Sequence, residues 1–133
     1  MDEIMLDIVM EDIPATSSLG GRRYYAYLPA GYLWELKEAY MMFDTGKAAG
    51  ANGLLWNLYN SSDQIMAQYS DSAATVTQCN AMTLSTTVSP IVDCAAAVGQ
   101  VYATYTTSGA GMTVGEGARI MCRFKARRPA VAA

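Results

Sequence analysis

The chain has 133 residues, of which 52% are hydrophobic and 16% charged, and its formal net charge at pH 7 is -3. This length fits a single domain with one core, and the composition excludes a disordered chain. A net acidic charge argues against a nucleic-acid-binding protein, which needs a basic face to displace counterions from phosphate. The low charge content indicates that part of the apolar surface contacts a partner.

The N-terminal segment alternates between apolar and polar positions, as a half-buried strand does. The apolar side of this alternation consists of Ile4, Leu6, Ile8 and Met10. The segment ends at Pro14, and it has acids where a secretory signal peptide needs Lys or Arg. We therefore expect an extended arm over residues 1–14, ahead of a domain over residues 15–133, in a protein that is made in the cytoplasm.

Four tyrosines lie within nine residues of one another, directly after two arginines. The members of this group are Arg22, Arg23, Tyr24, Tyr25, Tyr27 and Tyr32. Tyrosines in such a strand are most often buried in a core or a subunit interface. The alternative is that they stack on sugar rings or bases.

The stretch from Leu33 to Phe43 fits either a helix or a strand. Its residues include good helix formers, but its apolar residues also alternate, with Trp34, Leu36, Tyr40 and Met42 on one parity. Because the other elements are short, alternating and separated by turn residues, we predict a strand here.

The rest of the chain also has the period of β-strands. Leu54–Tyr59 and Ile65–Tyr69 flank a turn cluster and predict a hairpin, and 75–85 predicts a Thr-rich strand at an edge or against a neighbouring subunit. Gln100–Tyr105 and Ala118–Lys125 enclose a glycine-rich stretch and predict a strand, loop, strand unit. Roughly eight short strands indicate an all-β domain, an antiparallel β-sandwich or barrel.

The charges are divided between the two ends of the chain. The first twelve residues carry five acids and no base, whereas the residues from Arg119 onward carry five bases and no acid. Complementary ends favour contact between copies of the chain. The alternative is that both ends are solvated and only keep the protein soluble.

The residues needed for catalysis or for a metal site are missing from the sequence. There is no histidine, and Glu35 with Glu38 would lie on opposite faces of a strand. Cys79, Cys94 and Cys122 are an odd number at wide spacings, which fits neither a disulfide framework nor a metal clip. We expect no catalytic residues, no cofactor, no metal, no small-molecule substrate and no membrane association.

The order of these parts resembles the small jelly-roll decoration, or cement, proteins on the heads of tailed bacteriophages. The likeness rests on the Tyr-rich strand running into Pro29 and Gly31, the Thr-rich middle, the glycine-rich loop and the basic last strand that ends at Arg127-Arg128-Pro129. It spans residues 15–129 and contains no diagnostic motif. Tail or fibre components, and sugar-binding β-sandwich modules that use the aromatics from Tyr24 to Trp34, are the alternatives.

The resemblance implies a jelly roll that forms homotrimers on the outer capsid surface, binds the major capsid protein and stabilises the shell. The protein would be made in the host cytoplasm and found in the virion. We expect its contacts to come from the arm and the charged ends, through Ile4, Leu6, Ile8, Met10, Arg22, Arg23, Tyr24, Arg127 and Arg128.

Overall fold

The computed structural model describes residues 3–10, 23–43, 54–70, 79–107 and 118–127. These residues form ten strands and no helix: β1 (Glu3–Val9), β2 (Tyr24–Leu28), β3 (Tyr32–Met42), β4 (Leu54–Tyr59), β5 (Ile65–Ser70), β6 (Cys79–Ala81), β7 (Thr83–Leu84), β8 (Ile91–Cys94), β9 (Gly99–Thr107) and β10 (Arg119–Arg127). The prediction of an all-β domain is confirmed. Among the described residues, no helix has the length and hydropathy needed to cross a membrane.

The strands form two antiparallel sheets that face each other across one core. Sheet A has the order β1-β10-β3-β6, with β8 also paired to β3, and sheet B has the order β2-β9-β4-β5-β7. Side chains from both sheets, among them the fully buried Trp34, Trp56 and Phe124, join in a single hydrophobic cluster. The architecture is therefore that of an antiparallel β-sandwich.

The ambiguous stretch forms the long central strand β3, as predicted, but its alternation is interrupted. The register with β10 shifts between Arg123 and Phe124, so that Lys37 is an extra residue on β3. After this bulge the buried positions are Ala39, Met41 and Phe43. The predicted inward positions Tyr40 and Met42 are only half-buried, because one extra residue reverses the direction of every following side chain.

The predicted hairpin is present as the antiparallel pair β4 and β5. Of the Thr-rich strand predicted over 75–85, residues 75–78 lie outside the described residues, and the remainder is divided in two: β6 pairs with β3 in sheet A, whereas β7 pairs with β5 in sheet B. The buried Met82 lies at the crossing point. Likewise, the two strands of the predicted strand, loop, strand unit, β9 and β10, do not pair with each other. They belong to opposite sheets.

Of the arm predicted over residues 1–14, residues 1–2 and 11–14 lie outside the described residues, and the described part is an edge strand of its own sandwich. All seven residues of β1 pair with β10, and the Met10 amide continues the pairing with a 3.0 Å hydrogen bond to the Ala118 carbonyl. Ile8 and Met10 are buried in the core, and Ile4 and Leu6 pack against it. Residues 3 to 10 therefore do not extend away from the domain, because their apolar face is needed to cover one end of the core.

Candidate functional site

The outer face of sheet A carries a network of ion pairs that joins the two ends of the chain. The Arg123 guanidinium lies 2.7 Å from Glu3 Oε1 on β1 and 3.4 Å from Glu38 Oε1 on β3. Arg119 pairs with Asp7 at 3.6 Å in the same way. The predicted charge complementarity is thus satisfied within one chain, since antiparallel pairing of β1 with β10 places the acids opposite the bases.

Among the described residues β1 pairs with a strand on one side only, so it forms one edge of sheet A; β6 and β8 form the other. The amide of Met10 points to β10, so the alternation of antiparallel pairing directs the amides of Ile8, Leu6 and Ile4 to β10 as well. The amide and carbonyl groups of the other parity then point out of the sheet. Two side chains of that parity are large and exposed, Met5 at 51% and Val9 at 67%. Open edges of this kind can pair with another strand.

The outer face of sheet B carries a cluster of tyrosines around the buried Tyr102. The Tyr59 ring stacks on the Tyr102 ring, with the centroids 4.9 Å apart and an angle of 7° between the ring planes. The centroid of the Tyr25 ring, on the neighbouring strand β2, lies 5.4 Å from that of Tyr102. The Arg23 guanidinium carbon is 4.7 Å from the centre of the Tyr102 ring, within cation–π range. Tyr102 is only 3% exposed, although its side chain lies on the outer face of sheet B, outside the core cluster.

A tight turn fixes a carboxylate beside this cluster. The Asn60 Oδ1 atom accepts the amides of Ser62 and Gln64, and Asp63 adopts a φ of 60° that few non-glycine residues adopt. From this position Asp63 Oδ1 accepts a 2.6 Å hydrogen bond from the Tyr102 hydroxyl and lies 3.7 Å from the Arg23 guanidinium. Burial, followed by this hydrogen bond, raises the pKa of Tyr102 to about 12.

The predicted contact residues do not form one surface. Ile4, Leu6, Ile8 and Met10 face the core of their own chain, and Tyr24 on β2 is partly buried against the same core. Arg23 lies on the tyrosine cluster of sheet B, whereas Arg127 pairs with Glu35 on sheet A at 3.4 Å. Arg22 and Arg128 lie outside the described residues.

The aromatics proposed for sugar stacking are also separated by the fold. Trp34 is completely buried and donates its indole N–H to the Pro29 carbonyl at 2.9 Å, so it cannot stack on a ligand. Tyr25 and Tyr27 are exposed on the outer face of sheet B. Sequence reasoning missed Tyr59 and Asp63, because it treated the first as a hairpin residue and the second as part of a turn.

Cys79, Cys94 and Cys122 form no disulfide in the structure. Cys122 is fully buried, and burial raises the pKa of its thiol to about 12. Burial also raises the pKa of Cys94. Among the described residues, no group of three or more His, Cys, Asp or Glu side chains could hold a metal ion. The two candidate binding surfaces are therefore the edge of β1 and the tyrosine cluster on the outer face of sheet B.

Comparison with known proteins found no protein-family model, no curated protein and no solved structure that matches this chain.

Proposed function

We propose that this protein is a structural, non-catalytic component of a virion that self-associates and decorates the outer surface of a capsid. The observation that carries the proposal is the edge of β1, whose outward backbone groups pair with no strand in the described part of the chain and lie beside the exposed Met5 and Val9 side chains. An added strand would bury these side chains and satisfy the backbone groups at the same time.

The strand order supports a finer assignment of the fold as a jelly roll. Eight of the strands form two sets of four, β1-β10-β3-β8 and β2-β9-β4-β5, and the chain changes sheet between most consecutive members of these sets. Two four-stranded antiparallel sheets connected in this manner are typical of jelly rolls, a fold common in viral capsid proteins and lectins. The fold alone does not specify a function, so the assignment depends on the surfaces that the fold presents.

The position of the edge favours assembly with copies of the chain or with a shell protein. β2 is the corresponding edge strand of sheet B and lies next to β1, so both sheet edges open on the same side of the sandwich. A repeating lattice can multiply a modest affinity at such an edge, because many identical contacts act together. The likeness in sequence order to capsid decoration proteins supports the choice of a capsid as the lattice.

The proposal is tested by producing the protein together with the major capsid protein encoded in the same genome. We expect assembled shells to sediment with this chain bound in stoichiometric amounts, and we expect bound shells to resist heat better than bare shells. Shells that sediment without the chain, at every protein concentration tested, would contradict the capsid assignment.

A further inference from the structure

A groove lies at the β5–β7 edge of sheet B, beside the tyrosine cluster, and its lining includes Ala67 and Leu84 from the core side of these strands. Its volume is about 660 Å³, within the size range of small-molecule sites. It extends from the turn between β4 and β5 to the segment that follows β7. The polar and aromatic side chains that line it are Tyr59, Asp63, Gln64, Gln68, Ser85 and Thr87.

Three of the lining side chains are held in place by the protein while one polar atom of each is left over. Gln68 uses Nε2 to donate to Asn57 at 2.8 Å, which leaves its Oε1 as an acceptor. Gln64 uses Oε1 to accept from Asn60 at 3.2 Å, which leaves its Nε2 as a donor. Fixed donors and acceptors of this kind bind a ligand with little loss of side-chain entropy.

The third fixed group is the Asp63 carboxylate. Both of its contacts, with the Tyr102 hydroxyl and with the Arg23 guanidinium, are made by Oδ1. Oδ2 is therefore available as an acceptor, on a side chain that is 63% exposed. The left-handed backbone of Asp63 stores strain, and such strain is concentrated at binding sites.

Tyr59 supplies a flat apolar surface at the end of this polar row. One face of its ring is covered by the parallel ring of Tyr102, so the part of Tyr59 that lines the groove belongs to its other face or edge. Stacking on Tyr102 also fixes the orientation of the ring. A rigid aromatic platform beside amide and carboxylate groups suits a ligand with both C–H faces and hydroxyl groups.

The charge of the groove restricts the ligand further. Among the described residues that line it, one is a carboxylate and none is Lys or Arg. Arg23 pairs with Asp63 but does not line the groove, so phosphate groups and acidic sugars would meet the carboxylate with no lining base to bind them. We propose that this groove binds a neutral saccharide, whose ring packs on Tyr59 while its hydroxyl groups bond to Asp63, Gln64 and Gln68.

This proposal is independent of the assembly role, because it depends on sheet B and leaves the β1 edge unused. It is tested by titrating isotope-labelled protein with neutral hexasaccharides of glucose, mannose, xylose and N-acetylglucosamine while recording amide chemical shifts. We expect at least one of them to bind in the micromolar to millimolar range and to shift the side-chain amide signals of Gln64 and Gln68.

Two variants and a matched control decide whether the groove is the site. Tyr59→Ala should weaken binding at least tenfold by removing the platform, and Thr87→Trp should do the same by filling the groove from an exposed position while Tyr59 stays stacked. Tyr27→Ala is the control, because Tyr27 belongs to the same sheet and is 61% exposed but does not line the groove. The affinity of this variant for the saccharide should stay within twofold of the wild-type value.

Three results would overturn the proposal. The first is the absence of shifts with every neutral hexasaccharide. The second is an unchanged affinity of the Thr87→Trp protein, which keeps the tyrosine stack and so remains informative if Tyr59→Ala fails to fold. The third is preferential binding of a sulfated oligosaccharide in the same titration.

Discussion

The junction between β8 and β9 offers a sharp test of the packing between the sheets. A Cβ atom added at Gly99 would lie 2.5 Å from Cys94 Sγ and 3.2 Å from Val92 Cγ1. Cys94 and Val92 are both buried, so neither can move into solvent. Because non-bonded carbon atoms prefer separations of about 3.5 to 4 Å, Gly99→Ala must displace part of the core.

The expected loss follows from two opposing contributions. Overpacking of a core costs about 1 to 3 kcal/mol, whereas replacing glycine by alanine restricts the unfolded chain and returns about 0.4 to 1 kcal/mol. We therefore expect Gly99→Ala to lower the free energy of unfolding by about 1 to 2 kcal/mol. The measurement is urea denaturation followed by the fluorescence of the two tryptophans.

A double-mutant cycle separates the steric contact from other causes. Cys94→Ala removes the sulfur that the new methyl group meets, so the double variant should lose at least about 1 kcal/mol less than the sum of the two single variants. Gly31→Ala is the matched control: its cost arises from a φ of +98° and its Cβ would meet nothing within 4 Å, so Cys94→Ala should not rescue it. Additivity within about 0.5 kcal/mol for Gly99→Ala with Cys94→Ala would refute the reasoning.

Three further predictions concern single side chains. The pKa of Tyr102 is raised to about 12 in the folded protein, so folding favours the protonated hydroxyl. The stability that this hydroxyl contributes is fully present below the ordinary tyrosine pKa of about 10 and is lost as pH rises through about 12. The difference in unfolding free energy between wild type and Tyr102→Phe should therefore shrink by about 2 to 3 kcal/mol over that range, and a constant difference would contradict the assignment. Arg123→Met breaks two ion pairs at the surface, so it should lower the midpoint of urea denaturation at low salt and lower it less at about 1 M NaCl. A loss that does not depend on salt would contradict a surface network. Cys122→Ala, at a buried position, should lower the free energy of unfolding by about 1 to 3 kcal/mol, whereas Cys79→Ala, at an exposed position, should change it by no more than about 0.5 kcal/mol. Equal losses of the two variants in thermal denaturation would contradict this difference in burial.

The period of the sequence was sufficient to predict most of the strands, but the short strand β8 (Ile91–Cys94) was missed. Alternation of apolar residues identifies β10 and β1 because each has one face on the core and one on the solvent. The bulge at Lys37 could not be predicted, because it is defined only by the pairing of β3 with the distant strand β10. One extra residue cannot be recognised in this stretch, because its apolar residues fit the alternation of a strand with or without the extra residue.

Other features depend on contacts between distant parts of the chain. The opposite charges at the two ends were evident in the sequence, but only the pairing of β1 with β10 shows that Glu3 and Asp7 form ion pairs with Arg123 and Arg119 of the same chain. The tyrosine face was missed for a similar reason. Tyr59 and Tyr102 are 43 residues apart in the sequence, and they stack because β4 and β9 are neighbours in sheet B.

The central claim, assembly through the open edge of β1, is tested most directly by sedimentation equilibrium of the wild type and Met5→Pro. The Met5 amide points away from β10, so a proline there leaves the hydrogen bonds between β1 and β10 intact and blocks only an added strand. Leu6→Pro is the control, because it removes an amide that faces β10 and should destabilise the fold itself. We expect an oligomeric wild type and a folded, monomeric Met5→Pro protein. A wild type that stays monomeric up to about 100 μM, or a Met5→Pro protein with the mass of the wild-type oligomer, would contradict the account.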